Sequence, residues 1–342
     1  MVIDSFRKKQ NTQKRGMVLG KFMPPHRGHQ HLIDFALECV EELSILVCSL
    51  KSEPIAGELR FQWMRELYGT QAHVFHITDE NPSYPHEHPD FWEVWTNSIK
   101  KVLPETPDLV FTSEDYGDEL ARRLGAKHIL VDLRREQVPI SATQIRENPL
   151  AYWEFIPSCV RPFFVKRVAI VGPESTGKTT LTEKLAKHFE TSWTPEFARG
   201  FLDEKGTDCL IEDIALIAKG QIETEEEKAK EANKILFCDT DLMTTCIWSE
   251  YLFKECPPWI EEKSYEQKYD LTLLMNIDIP WVADPQRPAP HLRKYFLDWF
   301  KRELEKRERN YILISGNYEE RFALASLVIQ DSKFKIQIEL RT

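Results

Sequence analysis

Apolar residues along this 342-residue chain fall into short unbroken runs, each closed by glycine, proline or polar residues and followed by a stretch whose apolar positions lie three and four apart. The runs read as buried strands and the 3.6-residue spacing as helices. Strands are predicted over 17–22, 43–48, 73–77, 109–112 and 129–131, with helices over 58–68, 90–102 and 116–124 and another carried by Leu32, Ile33, Ala36, Leu37 and Val40. Beyond a Pro-rich junction at 149–162, strands are predicted over 168–171, 235–238, 271–277 and 311–315, another leads into Thr194, and helices cover 181–189, 242–251 and 318–329. Such alternation predicts an α/β chain of two doubly wound parallel sheets, whose ligands bind beyond the carboxyl ends of the strands. The junction carries Tyr152, Trp153 and Phe155, too apolar for a flexible linker, and predicts a short helix packed at the seam.

Two strand-to-helix turns hold the chemistry. Gly172, Gly177, Lys178 and Thr179 fill G-x-x-x-x-G-K-[ST] between a strand and a helix, the context this phosphate-binding loop requires. Glycines let successive N–H groups turn toward phosphate oxygens, and the helix N-terminus adds partial positive charge. Lys178 brings a full charge to the β- and γ-phosphates and Thr179 a hydroxyl to Mg²⁺, while Glu174, Ser175, Thr176 and Thr180 complete the ATP cradle.

The other turn reads Gly20-Lys21-Phe22-Met23-Pro24-Pro25-His26-Arg27-Gly28-His29 and lacks that lysine signature. His26 and His29, three apart at a helix start, share one face and can donate hydrogen bonds to phosphate oxygens as charge develops on phosphorus. Gly20 and Gly28 permit close backbone approach, and Pro24-Pro25 stiffens the turn. Downstream, Ser141 is a predicted N-cap for a short helix closed by Pro149, which sets Thr143 near its start and projects Arg146 toward ATP. Asp239 and Asp241 end the 235–238 strand, where one carboxylate can hold Mg²⁺ and another can take the proton of an attacking hydroxyl; Asp241 also precedes a helix as an N-cap would. Trp92 and Trp95 share a helix face and could stack on a planar cationic ring.

G-x-F-x-P-x-H-x-G-H together with Ile140-Ser141-Ala142-Thr143-Gln144-Ile145-Arg146 resembles the paired signature of nucleotidyltransferases related to nicotinamide-mononucleotide (NMN) adenylyltransferase. Followed by a phosphate-loop kinase, it resembles the bifunctional NadR family, whose second domain is a ribosylnicotinamide kinase. The likeness runs from Gly16 to about Arg321. It departs at the N-terminus, where repressor members carry a helix-turn-helix domain for which sixteen residues leave no room. The resemblance implies a flexible leader over 1–15, a Rossmann-like adenylyltransferase over 16–157 and a P-loop kinase over 163–342. It places Lys21, Phe22, Arg135 and Arg321 among the ATP contacts, with Trp95 the better candidate of the two tryptophans for the nicotinamide ring. Glu196 and Arg199 match the family's acceptor-orienting positions. Arg287, with Arg293 just beyond, lies on a loop that would close over the γ-phosphate, although Pro285-Gln286 precede it where the family has glycine two residues before.

Composition narrows the partners. A formal charge of −10 argues against a nucleic-acid-binding body, and no apolar run approaches a membrane span. The N-terminus has basic residues without an apolar h-region, and the seven cysteines show no C-x-x-C pairing, so cytoplasmic localisation with free thiols is expected. The acidic run over 223–227 reads as a solvated helix face, and His86-Glu87-His88 as solvated residues rather than a metal site. Expected ligands are ATP with Mg²⁺, NMN, ribosylnicotinamide and NAD; a homo-oligomer is left open. Competing readings are a related nucleotidyltransferase fused to a different small-molecule kinase, and a NAD- or ATP-sensing regulator without turnover.

Overall fold

The computed structural model describes residues 14–206, 208–282 and 290–331. The chain divides between Arg161 and Pro162 into two compact units, each with its own five-stranded parallel sheet flanked by helices.

The first unit runs β1 (Arg15–Gly20), α1 (Arg27–Cys39), β2 (Glu42–Cys48), α2 (Gly57–Tyr68), β3 (His73–Ile77), α3 (Phe91–Val102), β4 (Leu109–Thr112), α4 (Gly117–Leu124), β5 (Lys127–Leu130) and α5 (Ala142–Glu147). Strand order is β3-β2-β1-β4-β5, all parallel. The chain moves outward from β1 to β3 and then crosses back to β4, so the order reverses between β1 and β4. Loops leaving those two strands diverge there and open a crevice. Alternate residues face opposite ways: Val18, Ile45 and Val47 pack with Ile33 and Ala36 of α1 and Met64 of α2, whereas Met17, Leu46 and Val110 pack with Ile99 of α3 and Leu120 of α4. Burial on both faces is why these strands are continuous apolar runs rather than alternating ones. β1 begins two residues ahead of the predicted 17, because the Arg15 N–H donates to Asp108 Oδ2 at 2.9 Å and Arg15 pairs in register with Glu42.

The second unit comprises β6 (Lys166–Val171), α6 (Lys178–His188), β7 (Trp193–Thr194), α7 (Phe197–Lys205), α8 (Ile211–Glu231), β8 (Ile235–Asp239), α9 (Leu242–Phe253), α10 (Pro258–Glu266), β9 (Leu271–Met275), α11 (Arg293–Lys306), β10 (Tyr311–Ile314) and α12 (Tyr318–Gln330). Its order is β10-β9-β6-β8-β7, again parallel, with β6 central. Val168 and Ile170 pack on α6 and α12 through Leu185 and Ile329; Ala169 and Val171 pack on α9 and α11 through Ile247 and Phe300.

Two expectations change. The junction forms only 3₁₀ turns, Trp153–Phe155 and Arg161–Phe163, rather than a regular helix. The 223–227 run is not uniformly solvated. Glu225 shares the buried face of α8 with Gln221 and Ala229, four residues to either side. There it pairs with Arg167 and accepts hydrogen bonds from Tyr269 Oη (2.8 Å) and Gln267 Nε2 (3.1 Å). His86 and His88 are exposed as expected. No disulfide joins any of the seven cysteines, and among the described residues no helix is long and apolar enough to cross a membrane.

Candidate active sites

The crevice beside β1 is a cavity of about 720 Å³. It gathers Gly20, Lys21, Phe22, His26, Gly28, His29, Trp95, Arg135, Thr143 and Arg146, every residue of the first unit singled out from the sequence.

His26 is the N-cap of α1. Its extended backbone points Nδ1 back at the first turn, where it accepts from the N–H groups of Gly28 (3.1 Å) and His29 (3.4 Å). Those amides are therefore spent on His26 rather than offered to an anion. With Nδ1 accepting, the proton of the neutral ring sits on Nε2, a donor. The two imidazoles stack at 3.7 Å between centroids, a contact that opposes charging both rings together. Burial, helped by the charge of Arg135, lowers the His26 pKa to about 3. His29 is also held well below the ordinary range, by burial first and then by His26 and Arg135, and its Nδ1 is buried without a partner. Gly28 is required by this packing, because a Cβ there would lie 3.0 Å from the His26 ring; a Cβ on Gly20 would lie 3.1 Å from the ring of Phe22.

α5 is capped as predicted: Ser141 Oγ accepts from Gln144 N at 3.2 Å, and Gln144 Oε1 accepts from Ser141 N at 2.9 Å. Its Arg146 donates to the Met23 carbonyl at 2.5 Å and to Thr143 Oγ1 at 3.0 Å, which fastens the downstream signature to the His26 loop. Lys21 Nζ lies 2.9 Å from Glu53, which also pairs with the fully buried Arg60. Half-buried Trp95 is oriented by an Nε1 hydrogen bond to the Pro82 carbonyl at 2.9 Å, and Trp92 lines the same wall. Sequence reasoning passed over Ser83, Tyr84 and the 112–114 turn, which also line the cavity. The turn sits at the end of β4, so only strand order could have found it.

In the second unit a cavity of about 1050 Å³ is lined by Glu174, Ser175, Thr176, Gly177, Lys178, Thr179, Thr180, Glu196 and Arg199. The loop closes as its sequence requires: Gly172 has φ 141° against the Met275 backbone, and Gly177, at φ 77°, caps α6 beneath the ring of Tyr318. Lys178 Nζ arches over the loop to the carbonyls of Gly172 (3.1 Å) and Pro173 (3.3 Å). Thr179 Oγ1 donates to Asp239 Oδ2 at 2.5 Å, joining α6 to the end of β8. Burial, and then repulsion from Glu196, raises the Asp239 pKa to about 7, and its Oδ1 is buried without a partner.

Two carboxylates expected to act together are thereby separated. Asp239 faces the loop, whereas Asp241 Oδ1 caps α9 by accepting from Thr244 N and Oγ1, both at 2.9 Å, and its Oδ2 pairs with Arg309. Asp241 does not line the cavity; Glu174, Glu196, Asp203 and Asp208 do, and Asp239 meets Glu196 and Thr179 at an adjoining pocket. Arg321 is also turned away from the cavity and binds the loop from behind, donating to the carbonyls of Thr176 (2.6 Å), Gly316 (2.7 Å) and Asn276 (2.9 Å) and pairing with Asp278. Arg293 supports the loop in a similar way, at 3.1 Å from the Ser175 carbonyl. Arg287 lies outside the described residues. Residues not anticipated here are Thr240, Thr245 and Trp248. Trp248 follows Thr244 by four on α9, a spacing that could have marked a shared face.

A divalent cation fits this arrangement. The orphaned Asp239 Oδ1 and the raised pKa mark a buried carboxylate short of positive charge, beside a hydroxyl able to turn its lone pairs outward. Among the described residues no three His, Cys, Asp or Glu side chains converge into a metal cage.

Fold and site define a two-unit α/β protein with a glycine-containing strand-to-helix turn at the central strand of each sheet. Residues 167–321 match the family described as an AAA domain. The trifunctional NAD biosynthesis/regulator protein NadR of Escherichia coli (strain K12) is 34% identical over 332 residues, covering 90% of this chain and 80% of that protein. Two solved structures share the fold at 22% identity: a NadR protein in complex with NAD and AMP-PNP (TM-score 0.78, 98% of this chain and 99% of that one) and a NadR protein in complex with NR (TM-score 0.81, 98% and 100%). The chain belongs to the NadR family.

Proposed function

We propose that the protein is a bifunctional NAD-salvage enzyme: its second unit phosphorylates ribosylnicotinamide with ATP, and its first joins the resulting NMN to AMP, giving NAD and pyrophosphate. The observation that carries this reading is the presence, in one chain, of two separate phosphate sites of different chemistry. One pairs neutral histidines with arginines, and the other pairs a lysine loop with the buried carboxylate of Asp239 and the partly buried one of Glu196. Kinship with NadR supports it. We read the units as a Rossmann-like nucleotidyltransferase over 16–157 and a P-loop kinase over 163–342. On the cysteine pattern of the sequence, we place the enzyme in the cytoplasm.

In the first cavity an NMN phosphate oxygen attacks the α-phosphorus of ATP, and the bond to the α,β-bridging oxygen breaks to release pyrophosphate. The nucleophile is already anionic, so no base is needed. His26 and His29 donate hydrogen bonds, Arg146, Arg135 and Lys21 offset charge, and Trp95 faces the nicotinamide ring. Neutral imidazoles suit this task, since their N–H protons are donated without being lost.

In the second cavity the 5′-hydroxyl of the riboside attacks the γ-phosphorus and ADP departs. Lys178 and the loop amides hold the phosphates. Thr179 and Asp239 would hold Mg²⁺, which neutralises phosphate charge when bound. With Asp241 engaged in capping and pairing, Glu196 takes the hydroxyl proton, Arg199 orients the acceptor, and Trp248 offers an aromatic face to its base.

The test is two assays on one preparation. ATP with ribosylnicotinamide should yield ADP and NMN, and ATP with NMN should yield pyrophosphate and NAD. Binding without either product would favour a sensor, and turnover only with other acceptors would favour a different fused kinase.

A further inference from the structure

Thr240 stands between Asp239 at the end of β8 and Asp241 at the N-cap of α9, and it lines the second cavity with Lys178 and Thr179. Two costs meet at this residue. Its backbone has φ 78°, a conformation that is an outlier for a β-branched side chain and one that glycine would adopt freely. Its hydroxyl is buried, in a residue only 4% exposed, and has no hydrogen-bond partner. Three neighbouring hydroxyls are engaged: Thr179 with Asp239, Thr176 with the Pro173 carbonyl and Thr244 with Asp241. The backbone is locked by the Thr240 N–H donating to the Ile170 carbonyl at 3.0 Å, so the conformation belongs to the β6–β8 junction itself. Glycine would adopt this backbone without strain, and the hydroxyl is the polar group that threonine adds there.

A donor without a protein acceptor, beside a phosphate loop, is matched by phosphoryl oxygen. We propose that Thr240 is a catalytic residue of the kinase, its hydroxyl donating a hydrogen bond to the phosphoryl group as it passes from ATP to the acceptor. This rests on the kinase reading of the cavity. Charge spreads over the three equatorial oxygens during transfer, and a fixed donor placed in advance favours that state over the bound substrate. Strain held in place by surrounding structure is characteristic of such positions.

The full chain is assayed for ADP formation from ATP and ribosylnicotinamide as Thr240→Val, which keeps the shape and removes the donor, Thr240→Ser, which keeps the donor, and Thr240→Gly, which removes the donor and the strain. Val and Gly should lower kcat by roughly 10- to 100-fold with KM for both substrates within about threefold. Ser should recover most of the rate. Gly should melt at a higher temperature than wild type while remaining slow, a pairing that damage to the fold cannot produce. If Val does not fold, Gly decides. Wild-type kcat in Gly or Val, a loss confined to KM, or Ser as slow as Val would overturn the assignment. A wild-type protein that does not phosphorylate the riboside would instead overturn the reading of the site, and this inference with it.

Discussion

Arg321 Nη1 lies 2.6 Å from the carbonyl oxygen of Thr176, across 145 residues of sequence. Further guanidinium donors go to Gly316, Asn276 and Asp278, so four of the five N–H groups meet protein acceptors behind the loop. An arginine expected to touch ATP instead shapes the loop proposed to hold it.

Replacing Arg321 should therefore act first on stability. Arg321→Ala leaves the exposed Asp278 and three carbonyls without their donor, a loss on the order of 1–3 kcal/mol for each buried acceptor left unsatisfied. Lysine cannot span the same acceptors and should recover little. Urea denaturation of the second unit checks this, and a fully stable Arg321→Lys protein would contradict it.

Asp239→Asn should abolish riboside phosphorylation more severely than it weakens ATP binding. It should also stabilise the nucleotide-free protein in a pH-dependent way. With its folded pKa raised to about 7, Asp239 favours folding fully only below its unfolded value near 4, and that contribution is lost as pH rises through 7. The variant should thus match wild type at pH 4 and exceed it at pH 8, by on the order of 2–4 kcal/mol. Melting temperatures across that range decide the matter; equal curves at pH 8 would count against a strained carboxylate.

His26 and His29 are separable by the cap. Asparagine can cap α1 in place of His26, so His26→Asn should fold and yet lose adenylyl transfer. Because the His26 pKa is depressed to about 3, its contribution to stability is full above the unfolded value near 6.5 and is lost as pH falls toward 3. The variant should lack that part of the acid slope. His29→Ala should lower NAD synthesis roughly 10²-fold, the scale for removing a transition-state donor. Near-normal NAD formation by either variant would remove that histidine from the mechanism.

Lys178→Met in the full chain should stop riboside phosphorylation while NAD synthesis from supplied NMN continues, because each unit carries its own phosphate site. Loss of both activities would mean that the sites are not independent.

Local pattern was enough for much of this protein. Two sheets with both faces covered demand uninterrupted apolar strands, and glycines that must turn at phosphate sites leave a spacing no other residue can imitate; the strand runs, the Gly172–Thr180 loop and the His26–His29 turn were therefore legible along the chain. Side-chain direction was not. Asp239 and Asp241 are two residues apart at a strand end, yet one faces Thr179 and the other Arg309, a partner 68 residues away. Glu225 reads as one acid among several until Arg167 and Tyr269 reach it from β6 and the segment before β9. Arg321 and Thr240 derive their roles from a carbonyl, a strand junction and an absent partner contributed by distant segments. Periodicity records which face of an element is buried, whereas which polar group meets which is decided only when the elements pack.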